Sequence, residues 1–214
     1  MGTMAATTIH LLRHGEVHNP EGILYGRLPG YHLSERGFEM AERVGAVLSG
    51  QHEIREIVSS PLLRARQTAE PLARLTGLEP TIDHRVIEAE NDFQGQKVSK
   101  DRLLRSPAML AKTWNPFLPS WGEPYHKQVL RMKAAVTSLR RRVDGGVGVV
   151  VSHQLPIWVT RLHAENRRLW HDPRSRECSL ASLTTLTFDG HRLVDLSYAE
   201  PCRDLLPEKA VPGA

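Results

Sequence analysis

Val147-Gly148-Val149-Val150-Val151-Ser152-His153 is the stretch that decides the fold. Five positions carry no polar side chain, and four of them are valine. A β-branched run of this length is typical of a central parallel strand buried on both faces. Gly145-Gly146 breaks the helical pattern before it, and Ser152-His153-Gln154 ends it abruptly. Working outward, Thr7–Leu12 is a second short β-rich run, ending in Arg13-His14-Gly15-Glu16. Gly22, Gly26, Pro29 and Gly30 then mark an irregular loop.

Helical and extended patterns alternate along most of the chain. Ser34 reads as the N-cap of a helix to about Ser49, with Phe38, Ala41, Val44, Ala46 and Val47 on or near one face. Glu56–Ser59 reads as a buried strand. Ser60-Pro61 opens a helix through Arg74, the proline sitting where a first turn tolerates it. Pro80–Ile87 reads as a strand, Tyr125–Val143 as a long amphipathic helix and Pro156–His163 as a helix. Ser179–Phe188 and His191–Tyr198 form a β-hairpin about Asp189-Gly190. The alternation implies an α/β fold, a three-layer sandwich with a mostly parallel central sheet, helices on both faces and a C-terminal β-hairpin. One domain over 1–214 is expected. It carries an insertion at about 91–125, where Trp114, Phe117, Trp121 and several prolines suggest a lid or pocket wall.

Composition narrows the function. The 214 residues are 40% hydrophobic and 24% charged, ordinary for a globular chain, with no apolar run long enough to span a membrane. Residues 1–8 show no secretory pattern, and two cysteines are too few for a disulfide scaffold, so the expected setting is cytoplasmic. The formal net charge is +4, and lysine occurs only at 97, 100, 112, 127, 133 and 209. Arginine suits bidentate capture of phosphate or carboxylate. The arginines are scattered, and the cluster Arg140-Arg141-Arg142 ends a helix, where cations complement the dipole. An anionic partner is therefore expected, but not nucleic acid or a membrane. A homodimer is left open.

In a parallel sheet the ligand site lies beyond the carboxyl ends of the strands. That places Arg13-His14, Ser59-Ser60 with Arg64, Glu88 and His153 at one edge. A lone histidine after a strand is commonly structural, but two histidines with two arginines suit an oxyanion such as a phosphoryl group. Cationic arginines lower an imidazole's pKa, keeping it neutral and nucleophilic. A metal site is disfavoured: guanidinium groups repel a divalent cation, and no zinc-type spacing occurs. No cofactor is expected, since the phosphate-binding glycine loops of nucleotide sites are absent. A serine nucleophile at Ser152 or Ser59-Ser60 lacks an elbow motif and an Asp partner. Glu88 is the first candidate to protonate a leaving oxygen, with Glu90 and Asp92 close enough to compete.

Arg13-His14-Gly15-Glu16 resembles the signature of the histidine phosphatase superfamily, the phosphoglycerate mutase-like enzymes. Three more blocks follow in that family's order: Ser59 to Ala69, Val86-Ile87-Glu88 with Phe93-Gln94-Gly95, and Val150-Val151-Ser152-His153. Gly122-Glu123 leading to Arg131 echoes a weaker motif. The resemblance implies a covalent phosphohistidine at His14 and a phosphoryl pocket of Arg13, Arg64 and His153, helped by Asn19. It implies Glu88 as acid and then base, and no metal.

Departures from the family pattern bear on substrate choice. Val17 stands where a hydroxyl is common, the loop to Gly26 is about one residue short, and Gln154 replaces a small residue. Residues 90–96 carry no Arg or Lys to hold a second phosphate, which favours hydrolysis over mutase-type transfer. Tyr25, Gly26, Arg27 and Gln154, with Trp114–Tyr125, are expected around the substrate. A non-catalytic member that only binds phospho-ligands is the third reading. Folding the hairpin symmetrically about Asp189-Gly190 puts Cys178 one residue from opposite Cys202, so the two either approach or remain isolated thiols.

Overall fold

The structure is a computed structural model that describes residues 6–51, 53–97 and 122–207. The valine run forms β4 (Val147–Ser152) at the centre of the sheet. It pairs in parallel with β1 (Thr7–Arg13) on one side and β2 (Ile54–Ser59) on the other. A two-residue β3 (Thr81–Ile82) extends the parallel side. The antiparallel hairpin of β5 (Leu183–Asp189) and β6 (Arg192–Ala199) adds on to β1. The order of the six strands is therefore β3-β2-β4-β1-β5-β6.

Strand residues alternate between two cores, which is why β4 is apolar throughout. Leu12, Ile57, Val149 and Val151 pack with Met40, Val44 and Leu48 of α1 (Glu35–Gln51) and Ala65, Ala69 and Leu72 of α2 (Leu63–Thr76). On the opposite face Ile9, Leu11, Val58 and Val150 meet Met132, Val136 and Leu139 of α3 (Tyr125–Arg142) and Ile157 of α4 (Gln154–Ala164). The three layers expected from the sequence are present. No described helix is long and apolar enough to cross a membrane.

Several expectations need correction. The segment 80–87 is strand only at Thr81–Ile82, because Asp83 accepts the Arg85 N–H and caps a 3-10 turn over His84–Val86. The α2 helix starts at Leu63 rather than at Ser60-Pro61, and Gly77, in the left-handed region, ends it. On α1, Phe38 and Ala46 are exposed, and the buried stripe runs instead through Gly37, Met40, Ala41, Val44, Gly45 and Leu48. The α4 helix begins at Gln154, two residues early, since Pro156 fits within its first turn. The hairpin turn is Gly190-His191, shifted by one residue, because a bulge falls between Thr187 and Phe188. Cys178 and Cys202 are both buried free thiols, one in each core, so they do not meet. Burial pushes both thiols up to about 11. The basic end of α3 is engaged locally: Arg142 pairs with Glu56, and Arg140 donates to the Gly190 carbonyl. The lid or pocket-wall segment is described only at its ends, and its 98–121 portion lies outside the described residues.

The start of α1 is welded to the loop after β1. Ser34 Oγ accepts the Gly37 N–H, as an N-cap should, and donates to Glu16 Oε2 at 2.5 Å. Gly15 and Gly37 permit this contact: a Cβ on Gly37 would stand 2.0 Å from the Glu16 carbonyl oxygen, and one on Gly15 2.6 Å from that of Gly37. Both obstructions are backbone. Gly37→Ala is therefore expected to destabilise the fold by about 1–3 kcal/mol in urea denaturation. Gly50→Ala, in the same helix with nothing within 4 Å, should be neutral or stabilising.

Candidate active site

The sheet register builds the site. Arg13 lies opposite Ser152, so His14 and His153 leave adjacent parallel strands side by side, and the His14 N–H donates to the Ser152 carbonyl. The next strand over delivers Ser60, whose N–H donates to the Val151 carbonyl. Ser152 Oγ donates to the Val86 carbonyl at 2.7 Å and holds the turn that leads to Glu88. Four loops thus meet at one sheet edge.

His14 is 1% exposed, and its Nδ1 lies 2.8 Å from the Gly15 carbonyl, which can only accept. Nδ1 therefore carries the proton, and Nε2 presents a lone pair. Arg64 Nε approaches that Nε2 at 3.3 Å. Arg64, 1% exposed, comes from the first turn of α2, donates Nη2 to the Gly26 carbonyl at 2.7 Å, and lies over the Tyr25 ring. Thr68 locks the pair together by accepting the Gly15 N–H and donating to the Arg64 carbonyl. Arg13 donates Nη1 to the Cys178 carbonyl, while its buried Nε has no protein partner.

His153 is fully buried, and its ring centroid lies 5.2 Å from that of His14. Ser60 Oγ accepts the Leu62 N–H and stands 2.7 Å from His153 Nε2. His153 Nδ1 has no protein partner. Two buried nitrogens of the site, Arg13 Nε and His153 Nδ1, are thus left without a protein partner.

Burial, then Arg64, then Arg13 hold His14 well below the ordinary histidine range, the Gly15 contact opposing them. Burial, then Arg64 and His14, do the same for His153. Both imidazoles are neutral in the fold, whereas an unfolded imidazole titrates at about 6.5. Below that pH the unfolded chain binds protons that the folded chain refuses. Stability is therefore full above pH ~6.5 and falls as the pH drops, by up to about 1.4 kcal/mol per pH unit for each histidine. Carboxylates held low by partners, such as Asp83 and Glu165, lose their contribution only below their ordinary values of 3.8 and 4.5. Urea titrations between pH 7 and 5 should show this slope, and His153→Asn should flatten it by about 1 kcal/mol per unit.

The remaining sequence candidates fall into distinct places. Glu88 lines a cavity of about 140 Å³ beside Gly26, Tyr125, Gln128 and Gln154. Its Oε1 accepts the Ala89 N–H, and it acts electrostatically on Arg64, Tyr25 and Arg176. Glu90 is also in the cavity wall, but its carboxylate is bound to Arg27, and Asp92 is exposed outside that wall. Arg27 is a wall tie: it donates to the Glu88 carbonyl and pairs with Glu90 and Glu123. Glu123 also holds Arg131, which donates to the carbonyls of Arg85 and Ile87. Asn19 is used within its loop, donating to the Ile23 carbonyl and accepting the Ile23 N–H. Tyr25 is buried beneath Arg64 rather than lining the cavity. Among the described residues no three of His, Cys, Asp and Glu gather as a metal site.

One charged cavity residue escaped the sequence reading. Arg176, between α4 and β5, donates Nη1 to Gln154 Oε1 and Nε to His171 Nε2. Nothing in the sequence separates it from the exposed Arg167, Arg168 and Arg174 nearby.

A buried neutral histidine between guanidinium groups at the carboxyl edge of a parallel sheet defines a site for phosphoryl chemistry. The chain belongs to the histidine phosphatase superfamily (branch 1), whose family model matches residues 9–200. The Mycobacterium tuberculosis protein Rv0525 is 49% identical over 196 residues, spanning 91% of this chain and 96% of its own. Phosphoserine phosphatase 1 of Hydrogenobacter thermophilus is 28% identical, covering 90% of this chain and 92% of its own. Among solved structures, the mycobacterial glucosyl-3-phosphoglycerate phosphatase Rv2419c superposes with a TM-score of 0.71 at 28% identity, over 88% of this chain and 97% of its own. The last two are phosphatases named for different phosphate esters, phosphoserine and glucosyl-3-phosphoglycerate.

Proposed function

We propose that the protein is a phosphomonoesterase that hydrolyses a small phosphorylated metabolite through a phosphohistidine on His14. The observation that carries this reading is the tautomer of His14. Its Nδ1 is tied to the Gly15 carbonyl, so the lone pair on Nε2 points to the place that Arg64 and Arg13 make favourable for a phosphoryl group. In the first step Nε2 forms a bond to phosphorus as the bond from phosphorus to the ester oxygen breaks. Glu88 gives its proton to the departing oxygen. Arg13, Arg64 and His153 Nδ1 hold the equatorial oxygens, where positioning and charge do most of the work in phosphoryl transfer. In the second step Glu88 takes a proton from water, the oxygen attacks phosphorus, and the bond to Nε2 breaks, restoring neutral His14 and releasing phosphate.

Hydrolysis rather than transfer is supported by the segment that follows Glu88. Residues 90–96 carry no cation, and Arg27 is bound to Glu90 and Glu123. The chemistry proposed needs no metal, since two guanidinium groups supply the charge that a divalent ion would. A panel of phosphorylated sugars, sugar acids, nucleotides and aryl phosphates, assayed for free phosphate with and without EDTA, tests the reading. Release of phosphate unaffected by EDTA is expected. A requirement for metal, or binding without turnover across the panel, would contradict it.

A further inference from the structure

Glu88 sits on a stretch of chain that regular structure does not hold. The 3-10 turn ends at Val86, and residues 87–90 belong to no helix or strand. Carbonyls in such a segment have no ladder and must find other partners. Here four successive carbonyls each accept from a side chain. Arg131 Nη1 donates to Arg85 and Ile87 at 2.7 and 2.6 Å, and Ser152 Oγ takes Val86 between them at 2.7 Å. Arg27 Nε donates to the carbonyl of Glu88 itself at 2.7 Å. Three of these bonds come from guanidinium groups, and charge-assisted bonds are the stronger kind.

The two arginines are also tied to each other. Glu123 takes Arg131 Nε and Nη2 in a two-point pair at 2.8 and 2.9 Å, and its Oε2 accepts from Arg27 Nη2 at 3.2 Å. The Arg131 and Glu123 side chains are only 15% and 11% exposed. Glu123 is fixed in turn, its N–H donating to the Glu90 carbonyl and its own carbonyl accepting from Gln128 Nε2. Arg131 stands on α3, which enters the core through the adjacent Met132. The Glu88 carboxylate accepts the Ala89 N–H, so the side chain follows its own backbone. A proton donor must lie within about 2.6–3.2 Å of the oxygen it serves, and a misplacement of about 1 Å can cost roughly 100-fold.

We propose that Arg131 and Arg27, joined through Glu123, are positioning residues that act through Glu88. By clamping the carbonyls of residues 85, 87 and 88 they hold the carboxyl group where the leaving oxygen needs its proton. This rests on the reading above, in which Glu88 is the proton donor, and deepens it.

The leaving group tests the assignment, because only an effect through Glu88 depends on it. Arg131→Met should lower kcat on an alkyl phosphate by about 10- to 100-fold with KM little changed. On p-nitrophenyl phosphate it should give the burst of p-nitrophenol expected of Glu88→Gln. Added to Glu88→Gln, Arg131→Met should cost less than about twofold more on the alkyl phosphate, since no acid remains to be aimed. Arg131→Lys, which can pair with Glu123 but not also serve both carbonyls, should lie between. Arg27→Met, on the more exposed arm of the clamp, carries the same test with a loss of about 3- to 10-fold should Arg131→Met not fold. Arg131 also acts at a distance on His153, and an effect through that charge would fall on phosphoryl binding and on both kinds of ester alike. An equal loss on both esters without a burst therefore overturns the assignment. So does full activity in Arg131→Met, or a double variant whose loss is the product of the two single losses. If Glu88→Gln depends on the leaving group and the arginine variants do not, only the positioning assignment falls. If Glu88→Gln shows no such dependence, Glu88 is not the proton donor, and the assignment falls with that reading.

Discussion

Replacing His14 by alanine is expected to lower kcat by about 10⁴-fold or more on every phosphate ester the enzyme turns over, the range seen when a covalent nucleophile is removed. No neighbouring group is arranged to take its place. The other imidazole, His153, has its Nε2 bound to Ser60. Ser60 Oγ is committed between that nitrogen and the Leu62 N–H. Ser59 Oγ donates to the Ser60 carbonyl. The loss should appear in kcat rather than KM, because Arg13, Arg64 and His153 still hold the phosphoryl group. Fold stability offers a second readout on the same variant. Removing a buried neutral imidazole should make the protein less sensitive to acid between pH 6.5 and 5, by up to about 1.4 kcal/mol per pH unit. A variant that kept its activity but lost the acid sensitivity would show His14 to be buried and neutral without being the nucleophile.

Glu88→Gln should lose activity in proportion to how badly the leaving group needs a proton. General acid catalysis contributes about 10²- to 10⁴-fold. Alkyl phosphates, whose alkoxides leave poorly, should show the full loss. With p-nitrophenyl phosphate, whose phenolate leaves unaided, the first step should be nearly spared and the defect should move to hydrolysis of the intermediate, seen as a burst of p-nitrophenol. Glu90→Gln and Asp92→Asn should show no such dependence on the leaving group. Glu90 is bound to Arg27, and Asp92 lies outside the cavity wall. A loss in Glu88→Gln that was equal for both kinds of ester, with no burst of p-nitrophenol, would assign Glu88 a structural part only.

How much of this could be read without coordinates depends on how local the signal is. The valine run and Arg13-His14-Gly15 are contiguous, and parallel pairing of β1 with β4 follows from burial on both faces, so the two histidines come together by register alone. Ser34 was legible as a cap because its hydroxyl acts within three residues. The segment 80–87 was not, since the Asp83 cap that turns it away from the sheet competes with apolar Val86 and Ile87 for the same pattern. Cys178 and Cys202 illustrate a different limit. A one-residue shift in the hairpin turn, caused by a bulge, changes what lies opposite what, and the two thiols end in opposite cores. Arg27 and Tyr25, expected around the substrate, hold the wall and support Arg64, which depends on contacts with residues 61 and 39 positions away. Arg176 carries no motif, and only the geometry of His171 and Gln154 singles it out among neighbouring arginines.

The central claim is that His14 Nε2 becomes covalently phosphorylated during turnover. It is tested most directly by stopping the reaction with a ³²P-labelled ester in alkali, which preserves a phosphorus–nitrogen bond, and locating the label by peptide mapping. The account predicts label on His14 that is lost in acid, that forms and decays fast enough to account for kcat, and that is absent in His14→Ala. Turnover without labelled protein, or label on a serine that survives acid, would contradict it.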